Sequence, residues 1–220
     1  KSFFKTPSRC GVAHIRAIQH ITDFRHGSFP FMYLGCNLYN GRRKKEYFQY
    51  LSEKLTAKFA GWKKKLLSPG GRLTLIWHVL FSIPLHVFAV MDPPVVVLKN
   101  CNKILADFFG GESEEGPKRH WRAWRDLCYP TAEDGLGLRS FHDVQVAFSC
   151  KLWWRYRNTE SLWARFMHSK YGPGHLRRTP SRVWRRMLSV QATVDSFTED
   201  LDFQEGKRVW TLTVSESFST

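Results

Sequence analysis

The feature that most constrains this sequence is an apolar residue at every fourth position from Tyr47 to Phe59. Tyr47, Leu51, Leu55 and Phe59 follow this spacing, which places them on one side of an α-helix. Lysines lie among the residues between them, so the opposite side of the same helix is basic. Such a helix must bury its apolar side against other elements, and it predicts a helical protein with a packed core.

Further apolar stripes and capping residues predict more helices along the chain. Pro84 is expected to end one of them, Asp92 to cap the next and Gly110 to end it, while Ser140 and Ser181 cap two later ones. The predicted helices cover residues 43–66, 71–84, 92–109, 140–157, 160–170 and 181–193.

The remaining segments are predicted to be extended or irregular. Residues 1–40 are interpreted as short and extended, with a strand over Phe31–Leu38 that Gly35 interrupts. Residues 112–118 are predicted to be a mobile polar linker, and a further strand is expected near 209–214. The predicted fold class is therefore mainly α, with a small β portion near residues 30–40.

The overall charge indicates a polyanionic partner. The chain has 34 Lys and Arg against 19 Asp and Glu, a formal net charge of +15 and a pI near 9.9. Nucleic acid is the first interpretation, a membrane surface is the second, and a basic protein with no dedicated partner is the third. The apolar run over residues 79–90 is interrupted by Ser82, Pro84 and His86, so no membrane span is expected. The apolar stripes end in lysines and prolines without a long apolar face, so the membrane surface is the weaker interpretation and no membrane partner is expected.

The basic residues are concentrated in two blocks. The first block covers residues 41–72, where a lysine-rich helix face can contact phosphates without reading base sequence. A solvated helix face is the alternative interpretation of this block. The second block runs from Lys151 to Arg186, and its tryptophans lie at helical spacing, which favours a place in the core over stacking on bases.

The sequence lacks the residue patterns of several catalytic and metal sites. No two aspartates are adjacent, although two-metal phosphoryl transfer often uses such a pair on a turn. Cys10 and His14 form only half of a zinc pattern, so no metal site is predicted. The five cysteines are scattered and odd in number, which indicates a reducing compartment, and we expect the nucleus or the cytoplasm.

The order of several short motifs resembles plant LINE-type (non-LTR) retrotransposon reverse transcriptases, in the region that follows the palm. The resemblance is specific through order and spacing, and it covers roughly residues 31–157. The segments that carry it are Tyr33–Gly35, Gly41–Lys44, Gly61–Ser68, Gly71–Ile76, Val79–Leu80 with Ile83–Pro84, His120–Trp121 with Trp124, Leu127–Pro130, Gly135–Arg139 and Lys151–Arg155.

This resemblance implies a role for each part of the chain. The strand and turn at Tyr33–Gly35 would be a primer grip, and the basic helix from Arg42 with the turn after it would be a thumb that binds a template–primer duplex of RNA and DNA. The implied nucleic-acid-binding residues are Tyr33, Gly35, Arg42, Arg43, Lys44, Lys45, Lys63, Lys64, Lys65 and Arg72.

The same resemblance divides the chain into four regions. Residues 1–40 would end the palm, 41–111 would form the thumb, 112–194 would form a helical connection, and 195–220 would open a zinc-binding domain. We expect a fragment whose catalytic aspartates, and the Mg²⁺ of the whole polymerase, lie upstream, so that this chain alone has no cofactor and no activity. The alternative is a free-standing basic nucleic-acid-binding protein derived from such an element.

Overall fold

The computed structural model describes residues 2–6, 10–63, 67–113, 116–117, 122–172, 179–201 and 207–210. These residues are mainly helical with a few short strands, which confirms the predicted fold class. The chain divides into two compact units, residues 1–47 and 48–220. The four regions expected from the resemblance stay predictions.

The first unit contains short strands, one helix and a ring cluster. Its elements are β1 (Phe3–Phe4), α1 (Val12–Thr22), β2 (Arg25–His26), β3 (Phe31–Tyr33) and β4 (Cys36–Leu38). Strands β1 and β2 pair in parallel, and β3 and β4 pair antiparallel. The Lys5 ammonium lies 4.0 Å from the centre of the Phe31 ring and 4.3 Å from that of Phe29, a cation–π arrangement that links β1 to β3.

Two predictions for this unit were wrong in detail. Residues 12–22 form a helix rather than extended chain. The spacing of Val12, Ile15 and Ile18 was a signal for it, although Gly11 provides no capping side chain and no residue of α1 is buried. The single interrupted strand is a hairpin instead. Leu34 and Gly35 have φ angles of 47° and 76°, and two successive positive φ values produce a tight two-residue turn.

The second unit is built from helices with small strand pairs between and after them. A 3₁₀ turn at Lys45–Phe48 leads into it. Its elements are α2 (Gln49–Lys63), α3 (Pro69–Leu75), a π turn (Ile76–Leu80), α4 (Ser82–Val90), α5 (Val95–Gly110), β5 (Glu112–Ser113), β6 (Gly116–Pro117), α6 (Trp124–Leu127), a 3₁₀ turn (Thr131–Glu133), α7 (Phe141–Asn158), α8 (Leu162–Tyr171), α9 (Arg182–Leu188), α10 (Gln191–Ser196), β7 (Thr198–Leu201) and β8 (Lys207–Trp210).

Helix α7 contributes to two apolar clusters in this unit. Phe141, near its start, stacks on Phe81 with ring centres 4.8 Å apart and meets Phe88 edge-on at 5.4 Å. Trp153 and Tyr156, near its end, pack with residues of α8, α9 and α10. The tryptophans of the second basic block (residues 153, 154, 163 and 184) therefore belong to or pack against this cluster, as predicted.

The predicted ends of several helices were wrong for identifiable reasons. Pro84 does not end its helix, because the π turn before it changes the hydrogen-bond register: the Phe81 N–H donates to the Ile76 carbonyl at 2.9 Å. The Ser82 hydroxyl also donates to the Val79 carbonyl at 2.8 Å. The result is one continuous helical run from residue 69 to residue 90.

Asp92 was expected to cap α5, but it does not. The helix starts after Pro94, because a residue that precedes proline is disfavoured in the helical conformation and two prolines follow Asp92. The Asp92 carboxylate instead accepts a hydrogen bond from the Gln145 side chain of α7 at 2.7 Å.

The last predicted helix and the predicted linker also differ from expectation. Residues 181–193 form two helices, and the Ser189 hydroxyl donates to the Arg186 carbonyl at 2.8 Å where they separate. The polar segment 112–118 contains the antiparallel pair β5–β6. Strand β8 lies at the start of the strand expected near 209–214, and residues 211–214 are outside the described residues.

The helical run from residue 69 to residue 90 is long and apolar enough to cross a membrane by length and composition. Its mean hydropathy is 1.9 over an 18-residue window, contrary to the expectation that no segment would be long enough. A third of that window is buried inside the protein, and Ile76, Leu80, Val87 and Phe88 belong to the core. A core helix meets the same length and hydropathy test, so the run alone does not indicate a membrane span.

Arg186 of α9 connects the two clusters through the end of α4. Its guanidinium donates to the carbonyls of Phe88, Ala89 and Met91 at 3.2, 3.5 and 2.9 Å. The side chain is only 9% exposed. Burial lowers the pKa of Arg186, and the Asp92 carboxylate opposes that shift. Arg186 thus satisfies carbonyls that the last turn of a helix leaves without intrahelical partners.

We predict that Arg186→Met lowers the free energy of unfolding by about 2–4 kcal/mol, because buried carbonyls lose a charged donor. Arg185→Met is the matched control, since Arg185 is exposed, and its effect should stay below about 0.5 kcal/mol. Urea unfolding of both variants measures the difference. Equal effects of the two substitutions would contradict this role of Arg186.

Candidate nucleic-acid interface

The hairpin formed by β3 and β4 presents the predicted primer-grip residues at its tip. Tyr33 is the last residue of β3, pairs with Cys36 and is 57% exposed. Gly35 occupies the second turn position. An exposed aromatic ring beside a tight turn can contact a sugar or a base, and so the hairpin offers Tyr33 to a partner.

The four basic residues Arg42–Lys45 are all exposed, but they do not belong to the long helix. Arg42, Arg43 and Lys44 precede any helical turn, and Lys45 begins the 3₁₀ turn before α2. The prediction of a basic helix starting at Arg42 was therefore wrong. Gly41, with φ of 84°, lies immediately before the basic residues and turns the chain there.

Two tyrosines on either side of this basic segment contact each other. The rings of Tyr39 and Tyr47 stack with centres 4.6 Å apart and an interplanar angle of 23°. The Asn37 side-chain amide donates to the Tyr47 carbonyl at 3.2 Å. The segment between them is thus a loop with fixed ends, which we call the basic loop (residues 40–46). Sequence analysis missed this contact, because the two tyrosines were not considered as a pair.

Helix α2 has the two faces that its sequence predicts. Phe48, Leu51 and Leu55 are fully buried, and Phe59 packs edge-on against Phe108 of α5 with ring centres 5.2 Å apart. Lys54 and Lys58 are exposed on the other face. Lys63 is the last residue of α2, while Lys64 and Lys65 lie outside the described residues.

Arg72 has a structural partner at the end of α5. Its guanidinium donates to the Phe109 carbonyl at 3.4 Å, and a Cβ atom at Gly111 would collide with it. Gly111 has a φ of 75°, so this position favours glycine on both counts. A contact of Arg72 with phosphate stays a prediction.

The predicted binding residues fall into both compact units. Tyr33, Gly35 and Arg42–Lys45 belong to the first unit, and Lys63 and Arg72 belong to the second. Within the first unit, the basic loop follows the hairpin closely in sequence, because β4 ends at Leu38 and the loop begins at residue 40.

The second basic block is divided between exposed and buried arginines. Arg165 and Arg185 are exposed, whereas Arg186 is buried. The sequence contained a signal for this difference that was missed: Val183, Arg186, Met187 and Val190 follow helical spacing, which places Arg186 on the apolar stripe.

The described residues offer little to a metal ion or a cysteine nucleophile. Within the described ranges, no three His, Cys, Asp or Glu side chains are grouped as metal ligands would be. Burial raises the pKa of Cys101 to about 11, although a hydrogen bond to Ser52 opposes it. Burial and the nearby Asp143 charge raise the pKa of Cys128 to about 11. Both thiols stay protonated at neutral pH, which disfavours nucleophilic chemistry.

The chain is 33% identical over 137 residues to a protein of Arabidopsis thaliana named "Putative ribonuclease H protein". The matched stretch covers 62% of this chain and 22% of that protein's length. No protein-family model matches the chain.

We predict that Cys101 and Cys128 react slowly with iodoacetamide at pH 8 in the folded protein. A thiol with a pKa of about 11 is almost wholly protonated at that pH, and only the thiolate reacts. Mass spectrometry of alkylated peptides measures the rates. The control is the same protein in guanidinium chloride, where both pKa values return to about 8.5 and labelling should accelerate. Equal rates in the two states would contradict the raised pKa values.

Proposed function

We propose that this chain is the thumb and connection portion of a LINE-type reverse transcriptase and binds a template–primer duplex of RNA and DNA. The observation that carries the proposal is helix α2, whose apolar face is buried while Lys54 and Lys58 are exposed. The basic loop of the first unit is a separate group of exposed cations. A polymerase has to hold any sequence and slide along it, and exposed cations on a fixed scaffold bind phosphates without base recognition.

The similarity to the Arabidopsis protein supports nucleic acid as the partner. A ribonuclease acts on RNA, so the name of that protein points to the same class of macromolecule that the +15 charge favours. The Arabidopsis protein and the reverse transcriptases that the motifs resemble are both plant proteins. A retroelement origin of this chain is consistent with both similarities.

Each predicted binding residue has a proposed role. Tyr33 and Gly35 at the hairpin tip would hold the primer end, and the basic loop would contact the phosphates of the duplex. Lys63, the last residue of α2, would contact phosphates as well, and so would Lys64, Lys65 and Arg72, which follow it in sequence. The region before residue 41 would continue from a palm, and that after 194 would lead into a zinc-binding domain.

We further propose that this chain performs no polymerisation alone. Its sequence contains no adjacent aspartates that could hold two Mg²⁺ ions beside a primer end. The chemistry would belong to a palm in the parent polymerase, and Mg²⁺ would be a cofactor there. The proposed location is the nucleus or the cytoplasm.

We predict that neutralising the proposed contacts weakens binding and its salt dependence together. Arg42, Arg43 and Lys44 are changed to Ala in one variant, and Lys63, Lys64 and Lys65 in another. Each lost phosphate contact should lower the slope of log K against log salt by about one. Fluorescence anisotropy with a labelled RNA–DNA hybrid at several salt concentrations measures both quantities.

The matched control removes the same number of charges from the second basic block. Arg165, Arg182 and Arg185 are changed to Ala, while the buried Arg186 is kept so that the fold is preserved. This control should keep most of its affinity and slope. If the control loses both and the two thumb variants keep them, the second block is the binding surface and the thumb assignment is wrong.

We predict no nucleotide incorporation when the purified chain is incubated with template–primer, nucleotides and Mg²⁺. The reason is the missing carboxylate pair, without which two metal ions are not held beside the primer end. A primer-extension gel compares the reaction with a sample that lacks protein. Extension above that background, removed by heat denaturation of the chain, would refute the non-catalytic assignment.

A further inference from the structure

A cavity in the second unit lies beside the π turn, and none of its lining residues is among those predicted to bind the duplex. Its volume is about 760 Å³, within the range of small-molecule and cofactor sites. It is lined by residues of the helical run 69–90, by Cys128, by the loop before α7 and by α7 itself.

Trp77 is the most informative residue of this cavity. It belongs to the π turn, lines the cavity and is 49% exposed, although tryptophan usually buries most of its large apolar surface. Gly137 lies beside the Trp77 ring, since a Cβ atom there would be 3.9 Å from it. A half-exposed indole at an open cavity leaves an aromatic surface available to a ligand.

The π turn gives a second and independent reason to expect a ligand here. A π turn is rare because it replaces normal helical hydrogen bonds, and such turns occur frequently at functional sites. The turn at residues 76–80 contributes two neighbouring side chains to the cavity, Trp77 and His78. Both are exposed.

The rest of the lining is mainly apolar, with two charged side chains. Phe81 and Phe148 also line the cavity, and the stack between Phe81 and Phe141 holds the first of these rings in place. The charged side chains of the lining are Arg139 and Asp143, both exposed. A ligand that fits needs a flat apolar face, hydrogen-bonding edges and a negative charge near Arg139.

We propose that this cavity binds an unpaired base of single-stranded nucleic acid, with Trp77 as the stacking surface and Arg139 at an adjoining phosphate. A base in a duplex has its faces covered by its neighbours, so only an unpaired base can enter. His78 and Asp143, which also line the cavity, would hydrogen-bond with the edge of the base. This inference rests on the proposed function, because it assigns the single-stranded part of the same template to a separate site.

The test compares two extensions on one RNA–DNA hybrid. The first is a single-stranded RNA extension, and the second is an abasic extension with the same number of phosphates. Fluorescence anisotropy at one salt concentration gives the Kd of the whole chain for each. The extension with bases should bind at least about fivefold more tightly, since stacking on an aromatic side chain contributes that much per base. A DNA extension measures whether the sugar matters.

Substitutions at Trp77 then locate the effect. Trp77→Leu keeps an apolar side chain but removes the aromatic face, so it should abolish the difference between the two extensions. Trp77→Phe should retain most of the difference. Phe166→Leu is the matched control, since Phe166 is an exposed aromatic residue of α8 that does not line the cavity, and it should change nothing.

The possible outcomes separate the two proposals. The base site would be overturned by equal Kd values for the two extensions in the unchanged protein, or by a difference that survives Trp77→Leu. A protein segment would then be the remaining candidate ligand of the cavity. Loss of binding to the blunt hybrid would overturn the duplex-binding function, while the comparison of extensions would still judge the cavity. Absence of binding to every probe would overturn both.

Discussion

The second unit depends on one helix that serves two apolar clusters. Phe141 of α7 packs against Phe81 and Phe88, and Trp153 and Tyr156 of the same helix pack with α8, α9 and α10. Because the helix is continuous from Phe141 to Asn158, the two clusters have a fixed separation and orientation. The hydrogen bonds from Arg186 to the end of α4 and from Gln145 to Asp92 reinforce the same junction. The two clusters at the ends of α7 therefore belong to one packed unit.

Sequence reasoning succeeded where a periodic stripe coincided with a cap. Helix α7 begins at its predicted serine, whose hydroxyl accepts a hydrogen bond from the Asp143 N–H at 3.1 Å. The apolar side of α2 is buried as its period predicts. Sequence reasoning failed where contacts with other elements decide the local structure. No local pattern predicts that a π turn lets a helix continue past Pro84. Nor does one predict that Asp92 accepts a hydrogen bond from Gln145 of α7 instead of capping α5.

For the candidate interface, the sequence predicted which residues are basic, but it could not distinguish exposed basic residues from those with a structural partner. A count of basic residues does not distinguish the environments of Arg42, Arg72 and Arg186. Arg42 lies in an exposed loop. Arg72 of α3 donates to a carbonyl at the end of α5, and Arg186 of α9 is buried and donates to carbonyls at the end of α4. Arginine has five donors in a planar fork, and that geometry suits helix carbonyls as well as phosphates. A basic composition therefore overstates the surface that a polyanion can contact. Trp77 was missed for the opposite reason, since an aromatic residue on an apolar helix is normally assigned to the core.

The stack of Tyr39 on Tyr47 has a consequence for how ionic strength acts on this protein. By fixing both ends of the basic loop, it keeps Arg42, Arg43, Lys44 and Lys45 close together even when no partner is bound. These neighbours in sequence repel one another in the unfolded chain as well, so the fixed ends add only the repulsion of a restricted loop, and dissolved salt screens it over a Debye length of about 8–10 Å. The same ions compete with the loop for phosphate. Added salt therefore relieves repulsion within the loop while it weakens the proposed contact with phosphate.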